Sequence, residues 1–583
     1  MPVRNAEVAE TLEKLADLLA IKGENQFRIR AYRNAARTIS GLQSGVRELV
    51  EQGEDLSDYQ GIGKAIAEKI VEIVETGTLS QLEELTRELP EGLLDLLRIP
   101  ELGPRRVKEL YEELGITSID ALASALEDGR VRELEGFGEK LEQSLLSQVK
   151  SMRDREEERR LLLPAAEEVA EEMVAYLKKH GDVERIAVAG SYRRRKQTVG
   201  DLDILVVAGG GSAGGGAAAG GIMDVFTGHE DVRRVSMKGE TRSSVVLRSG
   251  VQIDLRLLEA ESYGSALQYF TGSKEHNIAV RRVAQEQGLK VSEYGIFRGD
   301  EQVAGAEEEE MYTTLGLAWV PPELREDRGE VEAAREGSLP ELVTMEDIRG
   351  DLHSHTNASD GSFTLAEMAE AAQARGYEYL AVSDHSKSLT VARGLDEDRL
   401  ARQIDEIDEL NEGFDGFRLL RSIEVDILDD GRLDLSDEIL ARLDLVICSI
   451  HSGLNKTEEK QTERIIRAMD NPHCSIIGHP TGRLLGSRDA YPVNMQRLLE
   501  AAAERGVSFE INAQPERLDL RDEDAHAARE LGIRISIATD AHAPANLAFM
   551  RYGVDQARRG WLRAADVLNT RPWSELGPLL KRQ

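Results

Sequence analysis

The stretch Ile186-Ala187-Val188-Ala189-Gly190-Ser191, followed by Gly200-Asp201-Leu202-Asp203-Ile204-Leu205-Val206-Val207, decides how this chain is to be read. Both apolar runs have the composition of buried strands, and Gly190-Ser191 falls in the turn that ends the first. Side chains two apart on a strand share a face, so Asp201 and Asp203 point the same way. A third carboxylate, Asp254, lies in Val251-Gln252-Ile253-Asp254-Leu255, the second arm of a hairpin expected to turn at Ser249-Gly250. Three carboxylates on neighbouring strands can hold two magnesium or manganese ions about 3.5–4 Å apart, the arrangement that serves in-line phosphoryl transfer. A turn rich in backbone N–H groups, with a hydroxyl beside it, suits a triphosphate. Alone, an Asp-x-Asp reads equally well as solvated acids at a surface turn. Gly190-Ser191 upstream and Asp254 downstream argue against that reading.

A chain of 583 residues is too long for one core, so three or four domains are expected. Its 41% hydrophobic and 31% charged residues are those of an ordinary water-soluble protein. No run of about 18 apolar residues exists, and the first residues lack a signal-peptide layout, so no membrane contact and a cytoplasmic location are expected. The two cysteines, Cys448 and Cys474, make no disulfide framework and no zinc cluster. A net charge of −34 weighs against nucleic acid for the chain as a whole. Binding depends on local patches and ions, however. Basic runs remain at Arg193-Arg194-Arg195-Lys196, at Arg28-Ile29-Arg30 with Arg33 and Arg37, and at Arg105-Arg106 with Lys108. The expectation is weak, salt-sensitive affinity for bulk DNA and preference for particular DNA structures.

Residues 1–155 read as helices with short Gly-containing breaks, the apolar spacing of Val8, Leu12, Leu15, Leu18 and Leu19 being helical. One unit recurs three times, a helix, a tight hairpin and another helix, with hairpins at Gly61-Ile62-Gly63, Leu102-Gly103-Pro104 and Gly136-Phe137-Gly138. Such a hairpin leaves the first N–H groups of the next helix free for a phosphate. Glycines also merely close helical corners. Three copies, each followed by a basic residue (Lys64, Arg105, Lys140), favour binding of a nucleic-acid backbone without sequence preference. Residues 160–320 are mixed α/β. Within them, residues 209–221 are almost wholly Gly and Ala and read as a flexible loop. Residues 321–346, opening on Pro321-Pro322 and dense in charge, read as a linker.

From Gly350 the pattern becomes strand then helix, repeatedly. Seven strand candidates lead to His353-Ser354-His355, Asp384-His385, Glu424, His451, His479, Asn512 and Asp540-Ala541-His542, with Asp360 in the first loop. In α/β barrels functional residues gather at the carboxyl ends of the strands, so these describe one metal-filled mouth. A lone histidine is usually structural, but eight of the eleven histidines belong to this half and six sit at strand ends. Imidazole with carboxylate suits zinc, manganese or iron, and a bridging carboxylate such as Glu424 lets ions sit close together. A closed structural zinc site needs only four ligands, fewer than stand here.

Taken together, Gly190-Ser191-Tyr192-Arg193-Arg194, Gly200-Asp201-Leu202-Asp203, Asp254 and Tyr269-Phe270-Thr271-Gly272-Ser273 resemble the bacterial family X DNA polymerases that carry a C-terminal polymerase-and-histidinol-phosphatase (PHP) domain. The polymerase half is similar to DNA polymerase beta. The resemblance implies that Gly190, Ser191, Arg194 and Gly200 form the triphosphate side and that Asp201 and Asp203 hold both metals, with Asp254 close to the primer terminus. It also implies that Tyr269, Phe270 and Gly272 border the incoming sugar, with Asn277 and Arg281 beside base and template. Lys274 stands where the beta polymerase has an acid. Lys69 falls at the position of a Schiff-base lysine, although Ala65 replaces a phosphate-binding lysine, and a solvated helix lysine is the competing reading. The PHP resemblance implies that His353, His355, Asp360, His385, Glu424, His451, His479, Asp540 and His542 hold up to three manganese or zinc ions in a distorted seven-stranded (βα) barrel. The activity implied there is 3′-to-5′ exonuclease and other 3′-end cleaning. Arg483 is a candidate for a substrate phosphate.

The expected organisation is a lyase-like helical domain at 1–90 and a helix-hairpin-helix domain at 91–155. A nucleotidyltransferase palm at 156–260, a nucleotide-selecting subdomain at 261–320, the linker, and a PHP domain at 347–583 follow. Gly61, Gly63, Lys64, Gly103, Arg105, Gly136 and Gly138 are the expected DNA contacts. The function read is filling of short gaps with dNTPs and trimming of 3′ ends on gapped or nicked DNA, by a monomer. A nucleotidyltransferase on another substrate fused to a phosphatase, and a non-catalytic DNA-binding scaffold, are the alternatives. The hairpins and Tyr269-Phe270-Thr271-Gly272-Ser273 argue against the first, and the complete ligand sets against the second.

Overall fold

The computed structural model describes residues 5–40, 42, 46–59, 61–76, 78–90, 92–97, 99, 101–134, 136–156, 160–209 and 217–580. The chain divides into two compact units, Met1–Glu158 and Arg159–Gln583.

The first unit is helical, and one apolar core runs from Val8 through Ile70 and Leu110 to Val149. No break appears near residue 90, because the helix Asn5–Lys22 packs on Pro104–Leu114 across that expected boundary. The three hairpins repeat one geometry. The N–H groups of Ile62, Leu102 and Phe137 each bond a carbonyl three residues back, at 3.0–3.1 Å. The carbonyls of Gly63, Gly103 and Gly138 then each accept from four residues on, at 2.9–3.0 Å. The first hairpin position needs a left-handed backbone. Glycine supplies it at Gly61 and Gly136 (φ +85° in both), and Glu101 adopts φ +70° in the middle copy.

The second unit begins with a five-stranded sheet in the order Val183–Val188, Asp201–Ala208, Gln252–Leu258, Arg242–Leu247, Val232–Lys238. Leu202, Ile204 and Val206 enter one core with the helices Leu163–His180 and Ala217–Thr227. Leu205 and Val207 face the other way, onto Tyr263 and Ala266 of the helix Tyr263–Thr271. The odd positions of that strand, Asp201 and Asp203 among them, therefore lie on the side of this helix. The expected loop at 209–221 is partly helix, since Ala217–Gly221 open Ala217–Thr227, anchored by buried Ile222, Met223 and Phe226. Residues 210–216 lie outside the described residues.

The stretch expected as a linker is folded instead. Residues 322–324 form a short 3-10 turn and Glu330–Glu336 a helix, with Val331 and Ala334 in a core shared with Trp561. Part of its charge is internal, although Asp327, Glu332, Arg335 and Glu336 stay exposed. Arg325 is fully buried, bonds Glu308 at 2.7 Å and stands over the rings of Tyr312 and Trp319, while Glu330 holds His276 at 2.6 Å.

Beyond it, parallel strands run Gly350–Ser354, Tyr379–Val382, Arg418–Arg421, then Glu424–Asp426, Ile447–Ser449, Ile476–Ile477, Ser508–Asn512 and Ile535–Ala538. A parallel bridge joins Ser354 to Ala541, so the last strand returns to the first, and another joins His385 to Glu424 between the two sheets. The C-terminal helix Trp573–Leu580 packs Leu576 and Leu580 on Leu352, Leu420 and Ile447. Among the described residues no helix is long and apolar enough to cross a membrane.

Candidate functional site

The sheet places the carboxylates as the alternation required. Asp203 and Asp254 are register partners on adjacent parallel strands, and Asp201 lies two residues before Asp203 on the same face. Gly190, with φ +66°, opens the four-residue helix Gly190–Arg193 rather than a plain turn. A Cβ there would lie 3.0 Å from Asp203 Oδ2, so glycine lets the backbone approach the carboxylate. Burial, then the charges of Asp201 and Asp254, push the Asp203 carboxyl up to about 6. Arg242 Nη2 at 3.3 Å and Gln252 Nε2 at 3.3 Å face the two oxygens of Asp254. Crowded carboxylates short of positive charge fit divalent cations.

Asp201 and Asp203 border a cleft of about 590 Å³ that also contains Gly190, Ser191, Arg194, Tyr269, Phe270, Gly272, Asn277 and Arg281. Gly200 lies outside it, against the Arg160 guanidinium. Arg194 is engaged with the Thr271 carbonyl and with Glu326 at 3.1 Å. Asn277 is committed internally, donating to the Tyr269 carbonyl at 2.7 Å and accepting from Gln268 at 2.9 Å, so it fixes the tyrosine turn. Arg281 bonds the Asn277 carbonyl at 3.2 Å on the cleft wall. Tyr269 and Phe270 meet edge to face at 5.2 Å, and Arg256 lies 4.1 Å over the Phe270 ring. Arg160, Lys196, Ser273, Lys274, Glu275 and Glu326 complete the lining. Glu326 carried no sequence signal, standing 132 residues beyond Arg194.

The basic run expected as a DNA patch is neutralised. Arg193 pairs with Glu308, Arg194 with Glu326, and Arg195 with Asp555 at 2.7 Å and Glu167 at 2.8 Å. In the first unit the basic residues remain outside. Arg105 and Lys108 make only exposed pairs with Glu109 and Glu112, which contribute little. Lys64 and Lys140 are exposed, and a Cβ at Gly63, Gly103 or Gly138 would meet open space. Lys69 is half-buried on the helix Lys64–Thr76, next to an exposed Ala65.

The second cluster closes around Glu424. Three sets of donors lie within 4.8 Å of one another: His355, Asp360, His385 and His542; His353, His355 and Asp540; His385, Glu424 and His451. His479 approaches Glu424 Oε1 to 2.7 Å. His353 Nε2 and His355 Nε2 stand 3.1 Å apart. His385 Nδ1 and Glu424 Oε2 are 2.8 Å apart without hydrogen-bonding geometry, and both stay orphaned, as do His355 Nδ1 and His479 Nδ1. Buried donors left without partners are what a metal cluster requires. Burial, then His542 and His385, push His355 down to about 4, so its imidazole is neutral. Although burial opposes its charge, His451, His385 and His353 hold Glu424 well below the usual range. Asp540 and His479 sit at φ +51° and +25°, strained backbone of the sort that collects at functional sites.

Two supporting carboxylates escaped the sequence reading. Glu510 takes His353 Nδ1 at 2.6 Å and the His479 N–H at 2.7 Å, and Asp426 takes His451 Nδ1 at 3.1 Å. Glu510 stands two residues before Asn512, so strand alternation alone placed it on the inner face. Arg483 is not available for a phosphate, because its guanidinium is spent on the carbonyls of Arg517 and Leu518.

Family models match four segments: a helix-hairpin-helix domain at residues 3–79, a SAM-like helix-hairpin-helix tandem at 93–151, a DNA polymerase beta thumb at 266–326 and a PHP domain at 351–514. Over 580 residues, 99% of each chain, the sequence is 38% identical to the DNA polymerase/3′-5′ exonuclease PolX of Bacillus subtilis. The C-terminal part is also 32% identical over 203 residues to a probable phosphatase of Caldanaerobacter subterraneus, covering 33% of this chain and 75% of that one. A probable phosphatase of Acetivibrio thermocellus is 32% identical over 201 residues, 33% of this chain and 78% of that one.

Proposed function

The chain belongs to the bacterial family X DNA polymerases that carry a PHP domain, and from that membership we propose that it fills short gaps in DNA with dNTPs and trims 3′ ends at its histidine cluster. The observation that carries the first half is Asp203 paired in register with Asp254 beside a cleft rich in cations. Two magnesium or manganese ions held by Asp201, Asp203 and Asp254 would neutralise the charge that develops as the primer 3′-oxygen attacks the α-phosphorus of the dNTP and the bond to the pyrophosphate oxygen breaks. Asp254, the register partner of Asp203, would draw the proton of the primer 3′-hydroxyl. Ser191 and Arg194 hold the triphosphate, Arg194 exchanging Glu326 for phosphate oxygens. Tyr269, Phe270 and Gly272, which line the cleft, would form the wall against the sugar that selects against a 2′-hydroxyl without reading the base. Pyrophosphate is the leaving group.

The helical unit grips the backbone either side of the gap, at Gly61, Gly63, Lys64, Gly103, Arg105, Gly136 and Gly138. In the histidine cluster, up to three manganese or zinc ions on His353, His355, Asp360, His385, Glu424, His451, His479, Asp540 and His542 would make water a nucleophile at neutral pH. Glu510 and Asp426 orient the imidazoles of His353 and His451. Incorporation on a one-nucleotide gap in magnesium, run beside 3′ digestion in manganese, tests both halves. A lyase step at Lys69 is tested separately by borohydride trapping on a 5′-deoxyribose-phosphate end, where a covalent adduct lost in Lys69→Ala supports it and no adduct dismisses it.

A further inference from the structure

The helix Met550–Arg559 belongs to the histidine-bearing half of the chain, yet its last residue reaches the loop after Gly190-Ser191. Arg559 is 2% exposed. Its Nη1 donates to the Arg194 carbonyl at 2.8 Å and to Glu326 Oε1 at 3.1 Å, and its Nη2 donates to Asp522 at 2.7 Å. Arg194 Nε donates to the same oxygen of Glu326 at 3.1 Å, and Lys196 Nζ lies 3.7 Å from the other. Three cations thus share one carboxylate, and Glu326, Arg194 and Lys196 all line the cleft that carries Asp201 and Asp203.

We propose that Arg559 is a positioning residue for nucleotide binding, through which the C-terminal domain sets the affinity of the polymerase cleft for its dNTP. The proposal rests on the polymerase reading of that cleft. An acid at the edge of an anion site opposes the triphosphate twice, by repulsion and by occupying the cations meant for it. Arg559 offsets both. Buried and outside the cleft lining, it takes a share of the Glu326 charge, so Arg194 and Lys196 can turn to phosphate oxygens. Its bond to the Arg194 carbonyl also fixes the end of the short helix that begins at Gly190. Without Arg559, Glu326 draws on Arg194 and Lys196 alone, and both are withdrawn from the incoming phosphates. Asp522 keeps Arg328 at 3.0 Å, so the loss is concentrated on Glu326.

The test is steady-state filling of a one-nucleotide gap by the full-length chain, with the dNTP varied in magnesium. Arg559→Met is expected to raise the dNTP KM about tenfold with kcat within about twofold, the pattern of lost ground-state binding. Adding Glu326→Gln should bring KM back towards the native value, because the charge that Arg559 offset is gone. An unchanged KM, or a raised KM that Glu326→Gln does not restore, overturns the proposal. Should Arg559→Met fail to fold, Glu326→Gln alone decides: a KM below the native value supports the proposal, and one equal or higher overturns it. Absence of any incorporation by the native chain would instead strike the polymerase reading itself.

Discussion

Asp203 on the strand Asp201–Ala208 stands directly opposite Asp254 on the parallel strand Gln252–Leu258, on the face covered by the helix Tyr263–Thr271. Two carboxylates in that relation repel one another until cations arrive. Asp201→Ala, Asp203→Ala or Asp254→Ala should therefore each cut gap filling by at least about a hundredfold, since each removes charge stabilisation worth several kcal/mol. Digestion of 3′ ends should survive in the same preparations. Retained dNTP incorporation by Asp201→Ala/Asp203→Ala refutes the site.

The same repulsion makes the ion-free protein pH-sensitive. Asp203 is pushed up to about 6 in the fold, above its ordinary value of 3.8, so the folded state holds that proton more tightly than the unfolded chain. Its contribution to stability is full below about pH 4 and is lost as pH rises through about 6. At neutral pH Asp203→Asn should raise the ion-free stability by about 1–3 kcal/mol. Thermal unfolding with and without magnesium checks this: the metal should stabilise the native chain and stabilise the variant less. A variant less stable than native without metal contradicts it.

Glu308 has the opposite sign. Burial works against its charge, but Arg193 and Arg325 outweigh burial and hold it down to about 2. Its contribution is present above about pH 4.5 and is lost as pH falls towards 2. Glu308→Gln leaves the fully buried Arg325 unmatched and should cost about 3–5 kcal/mol at pH 7. Urea unfolding of both proteins should show the gap narrowing on acidification, and an undiminished gap at pH 3 would exclude this cause.

In the histidine cluster, His355→Ala or Asp540→Ala should abolish manganese-dependent 3′ digestion and spare gap filling. Glu510→Gln should weaken metal binding about 10–100-fold by loosening His353, without touching the metal itself. Titration of the metal-free protein with manganese measures it, and native affinity in Glu510→Gln removes Glu510 from the supporting role.

The sequence made the candidate metal-holding clusters legible where chemistry and periodicity coincide. Asp201 and Asp203 sit on one face of a strand, and His353 with His355, one residue past the end of Gly350–Ser354, bring their Nε2 atoms to 3.1 Å. Charge was the misleading signal. Arg325, Glu330 and Arg328 helped 321–346 read as a linker, whereas Arg325 and Arg328 are paired with carboxylates and Glu330 is hydrogen-bonded to His276 and to the N–H groups of Asp327 and Arg328. The run Arg193-Arg194-Arg195-Lys196 read as a nucleic-acid patch for the same reason, since Glu308, Glu326 and Asp555 lie 115 to 360 residues further along and Glu167 stands on a separate helix. Composition counts charges but carries no information on which are paired across the fold. Glu326 and Arg559 were invisible for that reason, and Glu510 because a supporting carboxylate leaves no spacing of its own.

The most direct measurement is extension of a labelled primer across a short gap in duplex DNA, in magnesium and in manganese separately, with dNTPs and then with rNTPs. The account predicts templated dNTP addition that stops when the gap is closed, with rNTPs used poorly. Failure to add any dNTP, or equal use of rNTPs, would contradict it.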